Sequence, residues 1–371
     1  MGTNISYAET PEGFQVEPAL TVTERYNDNI NLSSGLREHD FITTVVPRLT
    51  LSSAGLRGEY SLSYQAEADF YRERSDLNTV RHAAGLDARY RLSNTTELKI
   101  QDRFVNTPDA TDISPTGIIP TRTKQYNNSA SALLSRQLSS MTGASLGYSY
   151  GVQRFQTPNL IDSTVQGVQL AISHGFTRMD TLGANAGFRY FSFGGGVSQK
   201  VYTVSLGWTH RFSETFSLDG RGGASLYQDP NNRYSPSVFL DVGLKKSWKD
   251  ASADLRYLHD LTISGGLAST TLINQSVVLG IQKTLAEKLR ANLSGSYATN
   301  KSVKSTSGPS IDTVSYSGTA GLDYAMAAWL KGQIQYSYMQ QNSFETVGND
   351  FRRHQAFVGL TATLPQKLKV F

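Results

Sequence analysis

The chain has 371 residues, with 35 basic and 31 acidic side chains for a net charge of +4, no cysteine, and 39% hydrophobic residues. Near-balanced charge gives no case for a nucleic-acid partner, and the missing cysteines remove disulfides, thiolate metal sites and covalent haem attachment. Mean hydropathy is negative, and the longest apolar run, Ala325 to Leu330, covers six residues, against the roughly 20 that a membrane helix requires.

In chain order, no secretory leader precedes Thr3, so Met1-Gly2-Thr3 reads as a mature start given a new initiator, and residues 1–13 are expected to form a periplasmic segment. From there one unit repeats to the end: about ten residues of alternating apolar and polar side chains, then a polar break. Lys288-Leu289-Arg290-Ala291-Asn292-Leu293-Ser294-Gly295-Ser296-Tyr297 shows it cleanly. Successive strand side chains point to opposite faces, so such a segment has one apolar and one polar face. Strands of soluble sandwiches run to about 5–6 residues, whereas a tilted strand crossing a bilayer needs about 9–11.

The beat places strands at 14–26, 40–53, 56–71, 79–92, 95–106, 124–137, 142–156, 163–177 and 181–193. It continues at 199–212, 215–228, 235–248, 250–264, 269–283, 288–301, 312–326, 329–341 and 350–364. Tight connections such as Ser93-Asn94-Thr95, Ser213-Glu214-Thr215 and Lys249-Asp250 alternate with longer ones such as 27–39, 106–124 and 301–311. Short periplasmic turns and longer extracellular loops are the asymmetry of bacterial barrels. The expected fold is therefore all-β: a single transmembrane antiparallel β-barrel domain over 1–371, with 18 strands, or 16 if two weak strands merge. The 19 Tyr and 16 Phe suit aromatic belts at the two membrane interfaces, with Trp208, Tyr336 and Tyr338 facing lipid.

Facing is set by phase. Tyr202, Val204, Leu206, Trp208 and Phe212 read as lipid-facing, with Thr203, Ser205, Thr209 and Arg211 inside. The residues expected to line the lumen are Arg57, Glu59, Glu67, Asp69, Arg81, Arg89, Arg91, Lys99, Arg103, Arg221, Arg256, Arg290 and Lys331. Gln65, Asp87, Glu97, Asp219, Asp254 and Asp323 share that face. An Arg or Lys on the lipid face near mid-membrane costs about 2–4 kcal/mol, and this phase keeps nearly all of them off it. Asp102 and Pro47 break the pattern. The long connection from Asn106 to Lys124 is expected to fold over or into the mouth.

The stretch Val16-Glu17-Pro18-Ala19-Leu20-Thr21-Val22-Thr23-Glu24-Arg25-Tyr26-Asn27-Asp28-Asn29-Ile30 is followed by Asp40-Phe41-Ile42-Thr43-Thr44-Val45-Val46-Pro47-Arg48-Leu49-Thr50-Leu51. Together they resemble the opening hairpin of the "putative β-barrel porin" family of the outer membrane. The resemblance implies an integral outer-membrane protein of a Gram-negative envelope, either a porin or, as in some relatives, a barrel of exopolysaccharide export working with periplasmic partners. It brings no functional residues. Barrels of this kind commonly end their last strand in an aromatic residue; here Pro365-Gln366-Lys367 separates the assigned strand from Phe371.

Other chemistry finds little footing. Gly143-Ala144-Ser145-Leu146-Gly147 matches a nucleophile-elbow pattern, but that motif needs a strand–turn–helix and here it lies inside an alternating strand. The histidines (His39, His82, His174, His210, His259 and His354) lack metal spacing. Asp28, Asn29 and Asp40 could offer oxygens to calcium, though Asn27-Asp28-Asn29 reads better as turn chemistry. The expectation is no catalytic residue, no metal and no cofactor. The sequence points instead to a porin-like channel for small hydrophilic solutes in contact with outer-membrane lipid, with the export barrel as the alternative.

Overall fold

The computed structural model describes residues 14–109, 117–120, 122–264, 266–303, 310–345, 348–364 and 368–370; the expected periplasmic segment 1–13 lies outside them. The strands are β1 (Phe14–Asn27), β2 (Asp40–Ala54), β3 (Gly58–Tyr71), β4 (Thr79–Ser93), β5 (Thr96–Thr107) and β6 (Gln125–Gln137). Next come β7 (Thr142–Phe155), β8 (Ser163–Gly175), β9 (Asp180–Phe193), β10 (Ser198–Ser213), β11 (Phe216–Gln228) and β12 (Tyr234–Ser247). The set continues with β13 (Ala251–Ile263), β14 (Thr271–Ala286), β15 (Leu289–Ser302), β16 (Asp312–Ala327), β17 (Leu330–Ser343) and β18 (Phe351–Thr363), and ends in the short β19 (Leu368–Val370). A single 3-10 turn, Ser75–Leu77, is the helical content of the described residues.

Each strand pairs antiparallel with the next, and β18 returns to β1 through Ala19↔Thr363 to Asn27↔Gln355. The sheet is thus a closed barrel of eighteen staves, and closure leaves no edge to pair with another chain. The interruption after β18 is also explained: pairing resumes in β19, whose Leu368–Val370 lie against Val16–Phe14 of β1. The last stave is therefore made in two pieces, and Phe371 itself lies outside the described residues.

The two faces separate as the alternation dictates. On β10, Val204 is 65% and Leu206 71% exposed, whereas Val201 and Ser205 are buried. The exposed apolar row continues on neighbouring strands through Leu170, Leu182 and Val238. This outer band is the surface a bilayer would cover. The two pattern breakers have local explanations. Asp102 does face outward, opposite Leu86 and Ala130, and the Asn128 amide donates to its two oxygens at 3.1 and 3.2 Å. Pro47 sits opposite Leu20 on the outer face, where the β2–β3 register passes from Val45↔Ala68 to Arg48↔Gln65. Its missing N–H falls in that gap in the ladder.

Turns on one rim are short, such as Asn94-Thr95 and Glu214-Thr215; connections on the other rim are longer, such as 28–39 and 229–233. Several long ones turn into the barrel, and the buried apolar residues gather there. One cluster joins Leu32 and Ile119 to Met339 and Phe351. A second joins Ile118 and Ala268 to Leu272 and Ile311. A third sets Phe191, Phe193, Val201 and Tyr227 of the wall against Leu261 and Val303. The apolar core of this molecule is a roof inside its loop-side mouth.

Candidate functional site: the mouth and inner wall

The roof is tied across the barrel by polar contacts between elements that are not neighbours in the sheet. Ile119, in the β5–β6 connection, and the fully buried Gln341 of β17 exchange two hydrogen bonds: the Ile119 N–H donates to Oε1 and Nε2 donates to the Ile119 carbonyl, both at 2.9 Å. Gln341 Nε2 also reaches the Asn349 carbonyl at 2.8 Å. Opposite, Thr271 Oγ1 donates to Gln199 Oε1 at 2.6 Å, Gln199 Nε2 to the Ser269 carbonyl at 3.1 Å, and the Ile161 N–H to the Gly266 carbonyl at 2.7 Å. Gly266 adopts φ +91°, and a Cβ there would run into the Phe155 ring, so only glycine fits this crossing. The described part of the 106–124 connection thus folds inward, as its apolar Ile118 and Ile119 require: both are buried. These contacts carry described loop residues across the loop-side end of the barrel.

Asp28 and Asp40 cap backbone here. Asp28 accepts the His354 N–H, and Asp40 accepts the N–H groups of Arg72, Glu73 and Arg74 at 3.1, 3.1 and 2.9 Å. Asn29 donates to the Ser33 and Arg352 carbonyls. Their oxygens act as turn acceptors. Gly143, Ser145 and Gly147 lie within the unbroken pairing of β7, away from any elbow.

Below the mouth, charged side chains of β1–β5 meet on the inner face. Asp69 is 2% exposed. It accepts from Thr44 Oγ1 at 2.7 Å and from both ends of the Arg81 fork, at 2.8 Å from Nε and 3.3 Å from Nη2. Arg25 stands 3.9 Å from it, and Arg81 also reaches Glu67 at 2.6 Å. Arg48 Nε donates to Gln65, whose amide donates to Glu67. Arg103 pairs with Asp87. Nearer the turn rim, Arg89 lies between Glu59 and Glu97, 3.6 Å from each. Across the barrel, Asp241 receives Arg221 and a forked Arg256, at 2.7 Å from Nε and 2.6 Å from Nη2. Arg189 of β9 reaches Asp260 of β13 at 2.5 Å.

Of the thirteen residues read from the sequence as lumen candidates, the structure brings Glu67, Asp69 and Arg81 into one network, Glu59 and Arg89 into a second, and Arg221 and Arg256 onto a shared carboxylate. Arg91 stands opposite Glu97, Lys99 opposite Arg89, and Arg290 opposite Asp323. Lys331 lies opposite Ala325 and Thr361, and Arg57 lies in the β2–β3 turn. The sequence reading missed Asp241, Arg189, Asp260 and Arg25. Asp241 and Arg25 stand at polar positions of alternating strands, so the signal was present. The Arg189–Asp260 pair depends on how β9 and β13 approach, which one sequence does not encode locally.

A family model described as "Putative beta-barrel porin 2" matches residues 12–136, the stretch from β1 into β6. No protein with a curated description matches the chain by sequence. Among solved structures, the fold is similar to OccK2 (OpdF) of Pseudomonas aeruginosa, at 11% identity and a TM-score of 0.50 over 95% of this chain and 98% of that one. It is similar also to OccAB4 of Acinetobacter baumannii, at 13% identity and a TM-score of 0.48 over 96% and 100% of the two chains. OpdL of Pseudomonas aeruginosa gives 13%, 0.47, 96% and 99%. At 11% identity the likeness to OccK2 is one of fold: a closed barrel of the outer-membrane porin type.

Proposed function

We propose that this chain is an integral outer-membrane channel giving passage to small hydrophilic solutes. The observation that carries the reading is the inversion of the barrel: exposed apolar residues cover its outside while Ser, Thr, Gln, Arg, Asp and Glu predominate on its inner wall. A wall of about eight strands would be filled by its own side chains, whereas 16–18 strands leave room for water. The described loop residues that turn inward take up part of that room at the loop side. A water-lined path suits polar solutes, which keep their hydration or exchange it for wall contacts, and disfavours apolar ones. Diffusion down a gradient needs no catalytic group, and the ion pairs of the wall serve as fixed charges that hold water and side chains in place. The porin model that matches the first six strands supports a channel, and nothing in the wall favours polysaccharide export over it.

Liposome swelling with neutral sugars of graded size tests this. Vesicles containing the refolded barrel should swell in small sugars and progressively less as size rises. Vesicles that hold a correctly inserted barrel yet swell no faster than empty ones would contradict the reading.

A further inference from the structure

The inner wall is chemically lopsided. From β6 through β8 the inward positions are Gln, Asn, Ser, Gly, Ala or apolar, and no charged side chain points inward along these three strands. Against this stretch and the adjoining β9–β11 lies a cavity of about 380 Å³, within the range that holds small ligands. Its floor is open because Gly147, Gly167 and Gly187 occur where neighbouring positions carry side chains. It sits directly beneath the roof: Val201 and Tyr227 form one cross-strand pair, and the next inward pair down, Thr203 with Ser225, leads to Ser205 at the cavity.

Ser131, Ser149, Gln169, Asn185 and Ser205 line this space, and among the described residues none of their side chains has a hydrogen-bond partner. Ser205 is the most enclosed of them, at 4% exposed, with its hydroxyl open to the cavity and no protein partner. Polar groups that face a cavity without a protein partner are completed by water or a ligand. Each cation at the rim already has a carboxylate: Arg189 meets Asp260, and Arg221 shares Asp241 with Arg256. Phe239 adds an apolar surface at the edge.

From these features we infer a binding subsite for an uncharged, polyhydroxylated solute of sugar size, an inference that rests on the channel reading. Hydroxyls of the solute donate to and accept from the serine hydroxyls and the amides of Gln169 and Asn185, which do both. The C–H face of a sugar ring lies on the glycine floor and against Phe239. A carboxylate gains less here than a neutral solute, because each cation at the rim already holds a carboxylate.

Gly147→Leu and Gly187→Leu are suitable probes. A Cβ at Gly147 comes no nearer than 3.6 Å to Leu133, and at Gly187 no nearer than 3.8 Å to the Val168 carbonyl, so both fill the cavity without displacing backbone. In planar bilayers, maltose added to the wild-type barrel should reduce the ion current reversibly and with saturation. Either leucine variant should keep its open current and weaken the maltose block by about tenfold, the equivalent of one or two lost hydrogen bonds. Asn185→Ala, which removes only an amide, should weaken it in the same direction. If the wild type conducts but maltose gives no saturable block, or if the leucine variants block as the wild type does, the subsite is overturned. So it is if gluconate blocks and maltose does not. Absence of any current from inserted wild-type barrel would instead overturn the channel itself.

Discussion

Two cavities on opposite parts of the same inner wall are built in contrary ways. One of about 520 Å³ runs along β1–β3 and β17–β18 and is lined by Arg25, Arg48, Glu67, Arg81 and Lys331 among threonines. Most of its charges belong to one network, Arg48 to Gln65, Gln65 to Glu67, and Glu67 and Asp69 to Arg81, with Lys331 outside it. The other, along β6–β10, carries small neutral side chains whose hydrogen-bonding capacity the protein leaves open. A charged wall is thus not necessarily the wall that engages a solute. Where ion pairs satisfy each other they stiffen the barrel, although Arg25 Nε on that side is buried without a partner among the described residues. The neutral side presents a run of small polar groups open to a solute.

The largest effect should come from breaking the charged side. Arg81→Met leaves the buried Asp69 carboxylate without its forked partner and should destabilise the barrel by about 3–5 kcal/mol. Urea unfolding in detergent micelles, followed by tryptophan fluorescence, would show it. Adding Asp69→Asn to that variant should recover much of the loss, because the uncompensated charge is then gone. Equal instability of the single and double variants would mean that Arg81 acts through packing alone.

Next in size is a test of facing. Leu206→Arg, on the exposed apolar row of β10, should cost about 2–4 kcal/mol in a bilayer, whereas Thr203→Arg, on the inner face, should cost far less. Equal costs would invert the assignment of that strand.

The facing of β10 was legible because its alternation is unbroken from Tyr202 to Trp208, and the same holds for Glu59 to Asp69 on β3. The roof was harder to read. Its signal was apolar residues where a loop should be polar, Leu32, Ile118, Ile119 and Ile311, but which wall they meet depends on the barrel's closure and not on any local pattern. Asp102 looked like an error of phase because its partner, Asn128, lies on the next stave, 26 residues on. The neutral cavity was illegible for a similar reason: Gly147, Gly167 and Gly187 fall on three strands and meet only through register.

A smaller effect concerns the roof. Gln341→Ala removes both bonds to Ile119, a cost of about 0.5–1.5 kcal/mol for each bond. The β5–β6 connection should loosen and the open-channel current should rise. An unchanged current would show that this crossing does not narrow the path. Smallest of all is Glu59→Gln at the turn rim. Its pair with Arg89 is 3.6 Å long and more than half exposed on the Glu side, so unfolding should shift by less than about 1 kcal/mol.

Single-channel recording of the purified wild-type barrel in a planar bilayer tests the central claim most directly. An eighteen-stave barrel with a polar interior predicts discrete current steps of uniform size in potassium chloride. Barrels shown by protease protection to be folded and inserted, yet passing no current at any applied voltage, would contradict it.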